Sequence, residues 1–331
     1  MSYRLVYIAL VLFLAGCNSK NSCDIPKEIA RIPVDVKIER LEEGFFKADS
    51  KEAIREFMKE HPLFTHKFLQ ADQYPHDSIL VNSLYGLATN PSLDSLAQQA
   101  IQKFGDMQQE EEELEVAFKS IKHYYPDFVV PEVKTFVSGL GQDLLVSDSL
   151  IVLGIDFFIG KDALYRPDTY EYILKRYERP YMVPAAMLLL SNKYNKVNIL
   201  DRTVLSEMIN AGKAYYFVQT IMPCTPEHEI IGYTAQQVAD IYHNEGRIWA
   251  HFIEKSLLYE KNPFLIQKYI GERPNTPEID GSAPGRLGTW VGWQIVKKYM
   301  ERNPEVTLQQ LMAETDYKKI FNESKYKPEK R

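Results

Sequence analysis

The chain is poor in cysteine: 331 residues hold three, at positions 17, 23 and 224. Three cysteines cannot build a disulfide framework, and none stands at metal-ligand spacing, so neither a stapled mini-scaffold nor a zinc ribbon is encoded. Positive charge is also in short supply. Lys and Arg number 39 against 45 Asp and Glu, a net charge of −6, which argues against nucleic acid as a partner because phosphate backbones are bound through cationic excess. The apolar run at residues 5–14 is about half of the roughly 20 residues a transmembrane helix needs, and no second candidate span follows it. Internal repeats, low-complexity tracts, nucleophile elbows, phosphate-binding loops and kinase signatures are absent. Gly139-Leu140-Gly141 follows a strand pattern, but Leu144 stands where a third glycine should be and no helix pattern opens there. A dinucleotide site is thereby removed.

What is present begins at the N-terminus. Arg4, the apolar run and then Ala15 and Gly16 before Cys17 reproduce the order of an export signal. Leu14-Ala15-Gly16-Cys17 is a lipobox, so residues 1–16 are expected to be removed and Cys17 to be acylated, making the bilayer the first partner. A short buried core helix would leave the cysteine after the small pair unexplained. Residues 17–31 carry no apolar period and read as a tether. At about 3.4 Å per residue it lets the body stand off by a few tens of ångströms at most. Export to an oxidising compartment permits a Cys23–Cys224 bridge, but a polar tether favours two unpaired thiols. With 45% hydrophobic and 12% aromatic residues the remainder can bury a substantial core. One globular domain is expected over 32–325, with the sheet in the half up to about 165, and a tail at 326–331.

Val34, Val36 and Ile38 alternate with Asp35, Lys37 and Glu39, the period-2 mark of a half-buried strand. Residues 133–137, 144–146 and 150–155 are further short apolar or β-branched segments between turn residues. Helical spacing runs over 51–105, with breaks at Pro62, Pro75 and Pro91, and over 92–125. It returns over 170–177, 183–194, 200–220, 235–259, 265–269, 287–302 and 308–312. The fold class that follows is α+β, mostly helical, with a small antiparallel sheet. The acidic run at 110–113, with Glu115, is expected to be a solvated helix face, since successive carboxylates point around a helix rather than converge.

His228-Glu229-Ile230-Ile231 opens like a zinc-peptidase motif, but Gly232 stands where the second histidine is needed, and Pro223, Pro226 and Gly232 mark the stretch as loop. His243, His251 and Glu254 fall near one helix face, where a pair of histidines is more often a satisfied packing surface than a metal site. Two segments are less bland. Residues 207–217 carry Gly212 inside a helix pattern, followed by Lys213, Tyr215 and Tyr216. Residues 284–293 carry Gly285, Gly288 and Gly292 at three-to-four spacing beside Arg286, Trp290 and Trp293, a face that another backbone can approach closely. Tight helix packing explains both.

These segments, in this order and behind a lipoprotein signal, resemble the gliding-motility lipoprotein GldB family of Bacteroidota across essentially the whole mature chain. The early strand ending Ile38-Glu39-Arg40, the block at 151–158, the block at 212–217 and the helix at 286–293 carry the resemblance. That family in turn is similar to predicted zinc peptidases of the gluzincin kind, which implies a degenerate peptidase-like architecture. Where the HExxH helix would stand, residues 182–188 offer neither histidine nor glutamate, and the third-ligand position is Tyr215. Zinc needs three converging donors, so neither a metal nor another cofactor is expected, and enzymatic activity is not. The resemblance implies an outer-membrane lipoprotein facing the periplasm, a non-catalytic scaffold for envelope protein partners in motility and linked secretion. A periplasmic hydrolase with an unrecognised site, or a binder of a small envelope ligand, are the alternatives. The relic of the cleft is expected to be a binding face built from Glu207, Lys213, Tyr215, Tyr216, Arg286 and Trp290, tyrosine, tryptophan and arginine being the types that contribute most to interfaces. The first outcome to check is at Cys17: mass spectrometry of the mature N-terminus should find it acylated and first in the chain. Retention of residues 1–16 would refute the lipobox.

Overall fold

The computed structural model describes residues 25–329; the signal at 1–16, Cys17 and Cys23 lie outside the described residues. The order begins α1 (Lys27–Ala30), β1 (Ile38–Arg40), α2 (Leu41–Phe45), α3 (Lys51–Glu60), α4 (Pro62–Lys67), a 3-10 turn (Ala71–Gln73), α5 (Asp77–Ala88), α6 (Pro91–Phe104) and α7 (Gln108–Tyr124). The sheet is completed by β2 (Glu132–Phe136), β3 (Leu144–Val146) and β4 (Leu150–Gly154). Then follow α8 (Glu171–Leu174), α9 (Arg179–Ser191), α10 (Val204–Ile221), α11 (Glu227–Ile231), α12 (Ala235–His243) and α13 (Glu245–Glu254). The last are α14 (Pro263–Tyr269), α15 (Leu287–Arg302), α16 (Leu308–Ala313) and α17 (Tyr317–Ser324). Punctuation residues set many of these limits. Pro62, Pro91 and Pro263 sit in first turns, where a missing N–H costs nothing, and Asn90, Asn262, Thr234 and Thr307 cap the helices that follow them.

The sheet is mixed rather than antiparallel. Its order is β1-β2-β4-β3; β1, β2 and β4 run parallel and only β3 is antiparallel, to β4. The physical reason lies in the connections. Helices α2 to α7 intervene between β1 and β2 and supply the crossover that parallel neighbours require, whereas β3 and β4 are joined by the tight turn at 147–149. Along β4, Leu150 and Val152 face one core, with Phe45, Phe57, Phe64, Phe68 and Phe136, while Ile151 and Leu153 face the other, larger core. Period-2 alternation is thus spent on two buried faces, and β4 is buried throughout.

The larger core is organised on α10 and α15. A Cβ added at Gly292 would lie 1.7 Å from the Met208 carbonyl oxygen, and one at Gly212 would lie 2.4 Å from the Gly292 carbonyl. The two backbones therefore touch, and Trp290 and Trp293 are wholly buried around the crossing. The close-approach face inferred from glycine spacing is realised here.

Several expectations are corrected. Helix 92–125 is broken because Gly105 takes φ +60°, ψ −127°, and 235–259 is broken at Asn244, whose side chain bonds back to Asp240. The 228–232 stretch is not loop but the short helix α11, closed by Gly232 in the left-handed conformation. The acidic run is not wholly solvated: Glu110 is 1% exposed and its carboxylate receives Arg179 at 2.5 and 2.8 Å. Cys224 is not a free thiol but a disulfide cysteine, its partner outside the described residues. Packing also reaches past both expected limits of the body, since Ile29 is buried and the Tyr326 hydroxyl donates to Glu245.

Gly292→Ala should destabilise the protein by about 3 kcal/mol or more, because a backbone atom cannot give way. Gly86→Ala, in α5 with nothing within 4 Å of the added carbon, should instead stabilise it by about 0.5–1 kcal/mol. Urea unfolding measures both, and equal effects would contradict the packing argument.

Candidate functional site

The six residues expected to form one face are distributed around and inside the helical half. Lys213, Tyr215 and Trp290 are 0%, 5% and 0% exposed; Glu207, Tyr216 and Arg286 are half-buried. Lys213 and Tyr215 are two residues apart on α10, about 200° around the helix, and point to different neighbours. The Lys213 ammonium donates to the carbonyls of Lys196 at 2.9 Å and Glu314 at 2.7 Å, joining the loop after α9 and the end of α16 to α10; burial lowers its pKa to about 8. Trp290 meets Tyr242 edge to face at 5.2 Å. Tyr215 accepts a hydrogen bond from Arg286 at 3.1 Å. Of the six, Arg286 lines a cleft.

That cleft, about 190 Å³, opens between the free edge of the sheet and α9 and α11. Asp143 and Leu144 supply the sheet side, Tyr181, Ala185 and Leu188 the α9 side, and Glu229 to Gly232 the α11 side, while Phe158, Ile173, Arg176, Tyr177 and Arg286 close it. Residues 182–188 do lie on the helix beside the sheet, with Met182, Val183, Ala186 and Met187 buried and Ala185 and Leu188 turned to the opening. Asp143 is fully engaged. One oxygen accepts the Leu144 N–H at 2.8 Å and the other the Tyr177 hydroxyl at 2.8 Å. The Tyr181 hydroxyl donates to the Tyr233 carbonyl at 2.9 Å, leaving its ring to the cleft.

Charge in the wall is mostly paired. Arg176 grips Glu272 at 3.0 and 2.8 Å. Arg286 adopts φ +59° at the head of α15; it donates to the Ile231 carbonyl at 2.8 Å, lies 3.4 Å from Glu272 and stands over the Tyr233 ring. Glu229 is the exception. Its ion-pair neighbour among the described residues is His228, 3.8 Å away and beyond hydrogen-bonding distance. Burial first, and the Glu113 carboxylate second, push it up to about 7. Below the cleft, wholly buried Asp156 ties down the 138–141 turn, accepting from the Ser138 and Leu140 N–H groups at 3.1 and 2.7 Å, and burial raises it to about 6.

Tyr177, Tyr181, Asp143 and Glu229 are functional candidates that sequence reasoning missed. They come from three separate segments, and Glu229 stood out only as the middle of an incomplete zinc motif. The one usable signal was a carboxylate between Pro226 and the apolar pair Ile230-Ile231. His243 and His251 lie on different helices, the latter within 2.8 Å of the Tyr269 hydroxyl.

The fold and cleft together define a mostly helical α+β protein with a mixed four-stranded sheet and a recess at its antiparallel edge. Over residues 22–328 the chain matches the family described as gliding motility protein GldB, and it belongs to that family. No curated protein and no solved structure matches it.

The Glu229 shift has a measurable sign. With a folded value of about 7 against about 4.5 unfolded, the folded state holds a proton between these values that the unfolded chain has lost. Stability contributed by protonated Glu229 is therefore complete below pH 4.5 and lost as the pH rises through 7. Glu229→Gln should flatten the stability profile over that window, Asp156 leaving a smaller slope of the same sign, and be about 1–3 kcal/mol more stable than the parent at pH 8. An unchanged profile in guanidinium melts at stepped pH would place Glu229 in water.

Proposed function

We propose that this protein is a cell-envelope lipoprotein, held by acyl chains on Cys17 to the periplasmic face of the outer membrane, that serves gliding motility and linked secretion by holding a protein partner. Family membership supplies the context; the edge cleft is the observation that carries the binding role. Its walls combine aromatic rings, aliphatic side chains and a few polar groups, the composition of a recognition site. The degenerate peptidase reading is part of the proposal. On that reading residues 182–188 and Tyr215 stand where a peptidase of the resembled kind would carry ligands, and their apolar and phenolic side chains suit contact rather than hydrolysis.

The α9 position supplies the test. Ala185→Trp fills the cleft from its helical wall without touching the α10–α15 crossing. In crosslinking from native envelopes, the parent should recover motility or secretion components, and Ala185→Trp should recover them at least tenfold less with an unchanged melting temperature. Equal recovery would put the partner elsewhere. Turnover of envelope peptides by the purified parent, abolished by the same substitution, would make the protein an enzyme.

A further inference from the structure

We propose that the cleft beside the edge strand receives a lysine side chain from an extended partner segment, its ammonium on Glu229 and its hydrocarbon stem along the Tyr181, Leu188 and Phe158 wall. The inference rests on the cleft being the partner site, and it names the chemistry that the site selects.

Among the described residues each charged group lining the cleft has a side-chain hydrogen-bond partner except Glu229. Arg176 gives both terminal nitrogens to Glu272. Arg286 is spent on Tyr215 and the Ile231 carbonyl, with Glu272 beside it. Arg179, at the start of α9, is bound to Glu110, and both oxygens of Asp143 accept hydrogen bonds. Glu229 has His228 at 3.8 Å and lies in the field of a second carboxylate, Glu113 on α7, which accepts from the Gln109 amide at 2.9 Å and is only partly offset by Arg179. Above pH 7 the site therefore presents a carboxylate with no hydrogen-bond donor of its own in a mostly apolar recess. An anionic ligand could be drawn to Arg176 and Arg286, which share Glu272, but it would leave Glu229 unanswered. A purely apolar one would strip the remaining water from Glu229 and return nothing.

An ammonium meets the requirement on three counts. It forms a charge-assisted hydrogen bond to the carboxylate. Its charge is favoured by the aromatic rings of Tyr181, Tyr177 and Phe158, which line the same recess. Its stem covers apolar wall while the head stays polar. Lysine fits better than arginine, since a guanidinium fork carries five donors and the cleft offers one uncommitted carboxylate. It also fits better than a lipid ethanolamine, whose ammonium is separated from phosphate by two carbons only. Such a headgroup would leave the aliphatic wall uncovered and set a phosphate near Glu229.

The test uses the full mature chain and three probes: the capped peptide Gly-Val-Lys-Val-Gly, the same peptide with norleucine for lysine, and phosphoethanolamine. Calorimetry at pH 7.5 should give at least tenfold tighter binding of the lysine peptide than of the norleucine peptide. Glu229→Gln should erase that preference while melting at or above the parent temperature, so that the loss is not unfolding. Equal binding of the two peptides, a lysine preference that survives Glu229→Gln, or strongest binding of phosphoethanolamine would each overturn the assignment. If Ala185→Trp still abolishes envelope capture in that event, the partner site stands and only its lysine chemistry fails; if capture is also unaffected, both fail.

Discussion

The contact between the backbones of α10 and α15 is the constraint on which the rest of the helical half depends. With Gly292 against the Met208 carbonyl and Gly212 against Gly292 itself, the helices are as near as main chains can come. That closeness leaves no freedom to slide. The large side chains on either side of the crossing, Trp290, Trp293, Met208 and Phe217, must then fill the flanks, and all are fully buried. The cost of such a crossing is the flexibility of glycine in a helix. It is offset by dispersion contacts along two long helices and by the apolar area removed from water.

The cleft inherits its geometry from that crossing. Arg286 is the residue immediately before α15, held in the left-handed conformation, so fixing α15 on α10 fixes where its guanidinium can reach. It reaches Tyr215 on α10 and the Ile231 carbonyl at the end of α11, and in doing so sets the helical wall of the recess. The sheet wall is fixed separately, by the β3–β4 hairpin and by Asp143, which binds both its own strand and Tyr177. A recess framed by two independently braced walls does not need a ligand to keep its shape.

Apart from Asp156, which is held by backbone N–H groups, the buried carboxylates compared here fall into two kinds. Glu42 and Glu110 are almost wholly buried, yet each has an arginine, Arg40 and Arg179, and Glu42 also accepts the Thr135 hydroxyl at 2.7 Å. Their charge is met inside the protein, as buried ions require, although burial still holds Glu42 above the usual carboxylate range. Glu229 is less buried but has no such partner, and it faces an opening rather than a neighbouring helix. Lys213 forms a third case, a buried cation satisfied by two carbonyl oxygens, which holds the loop after α9 and the end of α16 to α10 and is structural. Distinguishing these roles depends on who stands opposite each charge, not on how unusual the residue looks in the chain.

Local signals were legible to the extent that their physics is local. The β3 segment and the limits of α15 could be read directly, because a short apolar run between turns and a helical period are each complete within a few residues. Glycine spacing in residues 284–293 announced a close approach, since a missing Cβ has a short list of uses, though not the partner helix. The parallel order of the sheet was not legible: alternation says which face a residue takes, and only the long helical connection between β1 and β2 decides strand direction. Glu110 and Glu113 are near neighbours in one acidic run, yet tertiary structure gives one an arginine and sets the other near Glu229. The sequence determined a mostly helical body with a glycine-lined helix face. Packing alone decided which charges are answered within it and which one faces an open cleft, because the free energy of a buried charge is set by neighbours that arrive from distant parts of the chain.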